Sequence, residues 1–510
     1  MAELRPFARL RSIRLCVFAL AATTATARAQ DALPLRPVAF HRATVVDVRT
    51  GRLIPEQTVI VEGNRITAIA TSGTIDIPLG ATLVDARGRY LIPGLWDMHV
   101  HLFNQIGPRP PNLWHLPLLV ANGVTGVRDM WTTPADTSLL AELRRQIAAG
   151  TLIGPRIAAT GALVDGPVSW WPESARVATP EAGREFVHQV SLAKLDFVKV
   201  YSGLPRDIYL AIADEARRIG MPIAGRVPLR VPLREAIAAG QRSVERLTQV
   251  REACSTAEQT ILSERARRDA RRYTARQDDS LWNRHEGLRA AQYDEARCRS
   301  IARRLAANGV YQVPALLNER RAMLGTDELR PDDERLRYVP AEDRRLWIEG
   351  ADSGDEPWKD LVEGIATGRL PDERWRRWNK TMEVVQTLAR ARVPFMTGTD
   401  LGSRLVIPGF SVHDELQELT DAGLTTLEAL RAATYNPARF LDAADSLGTV
   451  EAGKVADLVL LDDNPLADIR NVRRIRAVVV NGHLLDRNAL DALLRHAERV
   501  AAGASMTGQR

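Results

Sequence analysis

His99 and His101, in the run Tyr90-Leu-Ile-Pro-Gly-Leu-Trp-Asp-Met-His-Val-His101, are the residues of this chain best spaced for chemistry. The run is apolar and its last residues alternate as in a buried strand, where side chains two apart point to the same side. Two imidazoles converging at a strand's end can bind one metal ion through nitrogen. An isolated His-x-His is more often accidental than metallic, so its meaning depends on the neighbouring elements. Lys199, in Phe197-Val-Lys-Val-Tyr201, is costly as a charge in an apolar strand and implies a role. Arg226, in Ala224-Gly-Arg-Val-Pro228, and Arg246, in Ser243-Val-Glu-Arg-Leu247, follow two more short apolar runs.

The middle of the chain alternates strands with amphipathic helices. The strand runs are Gly123-Val-Thr-Gly-Val-Arg-Asp129, Arg156-Ile-Ala-Ala-Thr160, Phe197–Tyr201, Pro222–Gly225, Ser243–Arg246, Tyr311-Gln-Val-Pro314 and Pro394-Phe-Met-Thr-Gly-Thr-Asp400. With the strand ending at His101 they make eight, which predicts an α/β fold of the (β/α)8 TIM-barrel type. Catalytic groups then belong at the strands' C-terminal ends, where His99, His101, Lys199, Arg226, Arg246 and Asp400 all fall. Short β-type runs between Ala39 and Asp85 share their texture with Ala456–Leu461 and Ala477–Gly482, so both chain ends are expected to build one small composite β-sandwich domain. The expected division is a signal peptide over 1–29, β domain over 30–92, barrel over 93–442, β domain again over 443–490, and a closing helix or tail over 491–510. Charged helical insertions at about 256–310 and 319–380 interrupt the barrel and are expected over its mouth.

A chain of 510 residues, 45% hydrophobic, has room for a large core. Arg5, Arg9, Arg11 and Arg14 precede the apolar stretch Leu15–Ala22, and Ala27-Arg28-Ala29 closes it in the pattern of a secretory signal. That stretch is too short for a stable membrane anchor, and Cys16 lacks the preceding small residues of a lipoprotein site. A secreted or periplasmic chain starting near Gln30 is expected. The first 29 residues also hold most of the formal net charge of +6. The stretch from Arg265 to Arg276, interleaved with acids and lacking aromatics, reads as a solvated helix face and not as a nucleic-acid site. Cys254 and Cys298 remain for an oxidising compartment, and their spacing leaves open whether they pair.

Taken together, Pro93-Gly-Leu-Trp-Asp-Met-His-Val-His101, Gly123–Asp129, Asp196–Tyr201, Gly398-Thr-Asp400, Leu427–Thr434 and Gly448–Leu458 resemble the amidohydrolase superfamily, in its imidazolonepropionase-like and prolidase-like branch of metal-dependent hydrolases. The resemblance spans about residues 35 to 485. It implies His99 and His101 as ligands of a divalent metal, commonly zinc, with Asp400 as third ligand and general base. It implies Lys199 as a lysine that becomes carboxylated and bridges two metals; left uncarboxylated beside two arginines, its pKa should fall. Tyr201 would hydrogen-bond the substrate carbonyl, His413 would contact substrate or steady Asp400, and Trp171 in Trp170-Trp171-Pro172 lines the pocket or packs beneath its loop. The branch usually ends its fifth and sixth strands in histidines, where Arg226 and Arg246 stand here. Arginine is permanently protonated and cannot ligate a metal, so the second metal site should be absent.

Three readings follow. In the first, a one-metal hydrolase cleaves a carbon–nitrogen bond of a small amide, lactam or dipeptide-like substrate, and Arg226 and Arg246 supply the charge of the missing ion. In the second, a silent relative keeps the fold as a binding module, its arginines paired with Asp400, Glu245 or other acids. In the third, the charged insertion is an interaction surface. A guanidinium facing Lys199 favours the first, and pairing of both arginines with acids favours the second.

Overall fold

The computed structural model describes residues 36–103, 113–169, 171, 173–268, 279–324, 333–349 and 372–503. The expected signal peptide, Trp170, Pro172, the end of the tail and parts of both insertions lie outside the described residues.

Runs of β-branched residues broken by turns fold as expected into short strands: β1 (Val38–Asp47), β2 (Arg52–Glu62), β3 (Arg65–Thr71), β4 (Thr82–Asp85) and β5 (Tyr90–Pro93). The barrel strands follow as β6 (Leu95–Val100), β7 (Val124–Asp129), β8 (Arg156–Asp165), β9 (Ala175–Arg176), β10 (Phe197–Val200), β11 (Ile223–Gly225), β12 (Ser243–Glu245) and β13 (Tyr311–Val313). β14 (Leu458–Leu461), β15 (Ile475–Val480) and β16 (His483–Asp486) return the chain to the first sheet.

That first sheet has the order β16-β15-β14-β5-β1-β2-β3, with β4 beside β1, so both chain ends contribute to it. Its core holds Phe40, Val45, Val59, Leu91, Leu458 and Val479, separate from the barrel core. β14 runs antiparallel to β5 from Leu458 opposite Pro93 to Leu461 opposite Tyr90. The same β5 passes through Gly94 into the histidine-bearing β6. A Cβ on Gly94 would lie 1.9 Å from Thr125 Oγ1, so this junction leaves no room for a side chain.

The second sheet is parallel, in the order β13-β12-β11-β10-β8-β7-β6, with β9 beside β8. β6 and β10 are buried throughout, as strands covered on both faces must be. The eighth strand expected at Pro394–Asp400 is instead an extended segment tied by isolated bridges, Gln312 to Phe395 and Val100 to Leu401. The physical reasons are local. Pro394 has no N–H to donate, and Asp400 turns out of extended backbone at φ 60°. A Cβ on Gly398 would sit 2.4 Å from Val313 Cγ1 and 2.8 Å from His99 Cβ, so the segment lies tight against β6 and β13. Met98 N–H donates to Thr397 O at 2.8 Å, and the barrel is nearly closed.

The first insertion is helical at Glu258–Ala266, Asp279–Ala291 and Glu295–Ala307, and the second begins with the helix Leu316–Leu324. Cys254 and Cys298 form a disulfide that ties the first insertion to the chain after β12. Of the solvated face expected over Arg265 to Arg276, Arg265 is a correction, being wholly buried, whereas Arg267 and Arg268 are exposed and residues 269–276 lie outside the described residues. Glu252 pairs with Arg265 at 2.9 Å and with Arg289 at 3.0 Å, and Glu286 with Arg251 at 2.8 Å. Charges are tolerated in such a place only when paired and hydrogen-bonded. Among the described residues no helix is long and apolar enough to cross a membrane.

Candidate active site

The strand ends bring His99, His101, Lys199, Tyr201, Arg226 and Asp400 into one pocket, with Trp131 and Trp171 as its aromatic wall. His99 Nε2 and His101 Nε2 each lie 3.1 Å from Asp400 Oδ1. The ligand-capable atoms of these three residues all fall within 4.8 Å of one another. Behind His99, Glu245 Oε2 is 2.8 Å from Nδ1. A carboxylate there places the proton on Nδ1 and turns the lone pair of Nε2 toward Asp400 Oδ1. Two electron-rich atoms held face to face in a buried site are stabilised by a cation between them, so the donor set fits a divalent metal.

Glu245 is itself held. Arg128, wholly buried in the barrel, donates from Nη2 to Glu245 Oε1 at 2.7 Å and from Nε to Met98 O at 2.6 Å. Ser243 Oγ donates to the same carboxylate oxygen at 2.6 Å. Burial would raise the Glu245 carboxyl, but Arg128 and His99 outweigh it and bring it down to about 2. Asp97 accepts from Thr399 N at 3.0 Å and Thr399 Oγ1 at 2.6 Å, which ties the Gly398-Thr-Asp400 turn to β6.

Asp400 divides its two oxygens. Oδ1 faces the histidines, whereas Oδ2 accepts from Arg246 Nη2 and, at 3.1 Å, from Asn318 Nδ2. Arg246 Nη1 donates to Glu319 Oε1 at 3.1 Å, so the second insertion supplies part of this site. Burial opposes the Asp400 charge, but Arg246 and the two histidines hold its carboxyl well below the usual carboxylate range. Arg246 and Asp400 both have left-handed backbone, φ 67° and 60°. Such conformations in side chains other than glycine cost of order 1–3 kcal/mol and cluster at functional sites.

Burial brings the Lys199 ammonium down to about 8, with Arg226 pushing it further down against the pull of Asp400. Lys199 Nζ and the Arg226 guanidinium lie over the Tyr201 ring, at 5.9 and 5.1 Å from its centroid. The Trp171 ring is 5.5 Å from Trp131 and 6.5 Å from Tyr201. His413 corrects an expectation: it does not line this pocket. Its helix, Phe410–Asp421, turns it toward Asn122, Asp414 and Arg473, and burial brings its imidazole down to about 3. Glu415 of that helix instead accepts from the Leu316 and Leu317 amides at 2.9 and 2.8 Å, fixing the helix that carries Asn318 and Glu319. Sequence reasoning missed Arg128, Trp131, Asn318 and Glu319, and took Glu245 only as a partner for the arginines. A charge in the middle of the buried run Gly123–Asp129 was the one available signal for Arg128.

The profile of the amidohydrolase family matches residues 90–485. The chain belongs to the amidohydrolase family. Among solved structures, the chain is similar to a bottromycin amidohydrolase, with 25% identity over 91% of both chains and a TM-score of 0.69. A Xaa-Pro dipeptidase with methionine bound in its active site is 18% identical over 88% of this chain and 100% of its own, with a TM-score of 0.60. Two curated relatives match over short stretches. Adenine deaminase 3 of Rhizobium meliloti is 37% identical over 57 residues, and adenine deaminase of Rubrobacter xylanophilus 36% identical over 76 residues. The chain spans only 10% and 12% of these relatives' lengths. Family membership, with hydrolases among the similar structures, supports a hydrolase acting on carbon–nitrogen bonds. The family is generally metal-dependent, and His99, His101 and Asp400 form a potential metal site.

Proposed function

We propose that this amidohydrolase cleaves an amide, lactam or peptide-like bond of a small or dipeptide-like substrate using a single divalent metal, zinc, held by His99, His101 and Asp400. The observation that carries this reading is the convergence of two imidazole nitrogens and one carboxylate oxygen at 3.1 Å, with Glu245 orienting His99 from behind. A divalent ion bound there supplies Lewis acidity toward the substrate carbonyl and its attacking water.

The chain's own groups do the rest. Arg246 and Asn318 hold Asp400 Oδ2, which leaves Oδ1 turned to the histidines and the carboxylate ionised. Asp400 is thereby suited to ligation more than to proton storage, and Lys199 Nζ, brought down to about 8, is better matched to take up and return a proton near neutral pH. Tyr201, whose ring both Lys199 and Arg226 contact, orients the carbonyl in this reading. Arg246 occupies the side of Asp400 away from the histidines and replaces a second cation there. The Cys254–Cys298 disulfide supports secretion or periplasmic export, as the leader composition also does.

One feature favours the silent binding module: Arg246 is paired with two acids, Asp400 and Glu319. Arg226 goes the other way, toward Lys199 and the Tyr201 ring, and supports the hydrolase. Metal content by elemental mass spectrometry, on full chain produced with zinc, should return about one ion per chain. Asp400→Asn should lower metal affinity at least about 10-fold and amide turnover at least about 100-fold. A chain that binds no metal, or an unchanged turnover in Asp400→Asn, overturns this reading.

A further inference from the structure

Among the described residues, no neighbouring acid pairs with the Arg226 guanidinium of this pocket. Arg246 is paired with Asp400 and Glu319. No hydrogen bond or ion pair engages the Arg226 guanidinium among the described residues, and its contact is with the π face of Tyr201. Asp165, the acid whose charge it feels, uses its oxygens on Ser169 Oγ at 2.8 Å, Gly166 N at 2.9 Å and Gly203 N at 2.7 Å. The guanidinium is half-buried, lines the pocket, and shares the Tyr201 ring with Lys199. The pocket therefore presents one unanswered fork of donors and an apolar wall of Trp131 and Trp171.

A planar fork in a partly desolvated site pairs best with a carboxylate, through two parallel N–H···O bonds. We infer that Arg226 is a substrate-binding residue, and that the amide hydrolysed here carries a free carboxylate seated on Arg226 and an apolar or aromatic group against Trp131 and Trp171. This rests on the hydrolase reading above and names its substrate class: N-acyl amino acids and short peptides with a free C-terminus, in preference to neutral amides. Assigned this way, Arg226 departs from the charge-replacing role expected from the sequence, which Arg246 alone fulfils.

Binding and hydrolysis test the inference separately. In calorimetric titration of the zinc-loaded full chain, 3-phenylpropanoate, which has no amide to cleave, should bind about 10- to 100-fold more tightly than 3-phenylpropan-1-ol. Arg226→Gln should reduce that advantage to about 3-fold or less at unchanged metal content, and Arg226→Lys should keep part of it. In parallel, N-acetyl-phenylalanine should be hydrolysed with a higher kcat/KM than its carboxamide, and the ratio should fall toward one in Arg226→Gln. A carboxylate preference that survives in both variants overturns the inference, as does the absence of any preference in the wild type. Carboxylate-selective binding without hydrolysis of any amide would retain the anion subsite and remove the hydrolase reading. Hydrolysis indifferent to the carboxylate would do the reverse.

Discussion

At the scale of single residues, the site is a contest between two ways of neutralising Asp400. Arg246 answers its charge from one side, and the Nε2 atoms of the two imidazoles face it from the other. Removing one partner of a buried ion pair typically costs about 3–5 kcal/mol because the survivor is left uncompensated. Arg246→Met should therefore lower the melting temperature markedly in the metal-free chain. Zinc should recover most of the loss, since the ion takes over the charge that the guanidinium answered. Equal losses with and without zinc would show that Arg246 and the metal do not share Asp400. His99, His101, Lys199, Tyr201 and Asp400 were legible from strand-end spacing and the resemblance. Arg128 and Glu319 were not, because their partners, Glu245 and Arg246, come from elements distant in sequence. His413 was misjudged because the start of its helix sets which way it faces, and nothing local records that direction.

At the scale of elements, the second insertion contributes side chains to the site. The helix Leu316–Leu324 brings Asn318 and Glu319 to the strand ends, and the first insertion joins the same region through Arg251 and Glu286. The disulfide closes a loop with a sequence separation of 44. A cross-link of that span contributes up to about 4 kcal/mol by restricting the unfolded chain. The double variant Cys254→Ser, Cys298→Ser should unfold about 2–4 kcal/mol more easily in denaturant, with the helices Glu258–Ala266 and Asp279–Ala291 the first to yield to limited proteolysis. Cleavage starting elsewhere, with the insertion intact, would show that the buried ion pairs alone hold it. The alternation of strand and helix was readable because buried parallel strands are continuous apolar runs. The failure at Pro394–Asp400 has the opposite cause: an apolar run can lie extended at a strand's place without forming a ladder, and composition does not tell the two apart.

At the scale of the whole molecule, several titratable groups are buried in forms that water would not favour. His115 is fully buried and its imidazole is brought down to about 3 by burial. An unfolded histidine titrates near 6.5. Between those values the unfolded chain takes up a proton that the native chain refuses, so stability falls as pH drops from about 6.5 toward 3. Glu415 acts in the other direction: burial pushes it up to about 8, so its contribution falls as pH rises from the ordinary carboxyl range toward that value. His115→Phe should make the acid limb of a stability-against-pH profile shallower, by at most about 1.4 kcal/mol per pH unit. An acid limb as steep as the wild type's would assign the loss to other groups. The composite β domain was legible because its two ends share a texture, but the order of its strands was not, since several equally apolar runs compete for each edge.

One pairing in that sheet governs the timing of assembly. β5, which leads through Gly94 into the histidine strand, takes β14 as its neighbour, and β14 follows the whole barrel in sequence. A nascent chain emerging from the ribosome has β5 and β6 long before it has Leu458–Leu461. Until Leu458–Leu461 has been made, β5 keeps an open edge next to the strand carrying His99. A chain stalled before Leu458 would thus hold every residue of the site yet display one open strand edge beside it, so pairing of β14 with β5 is a late step in framing the centre.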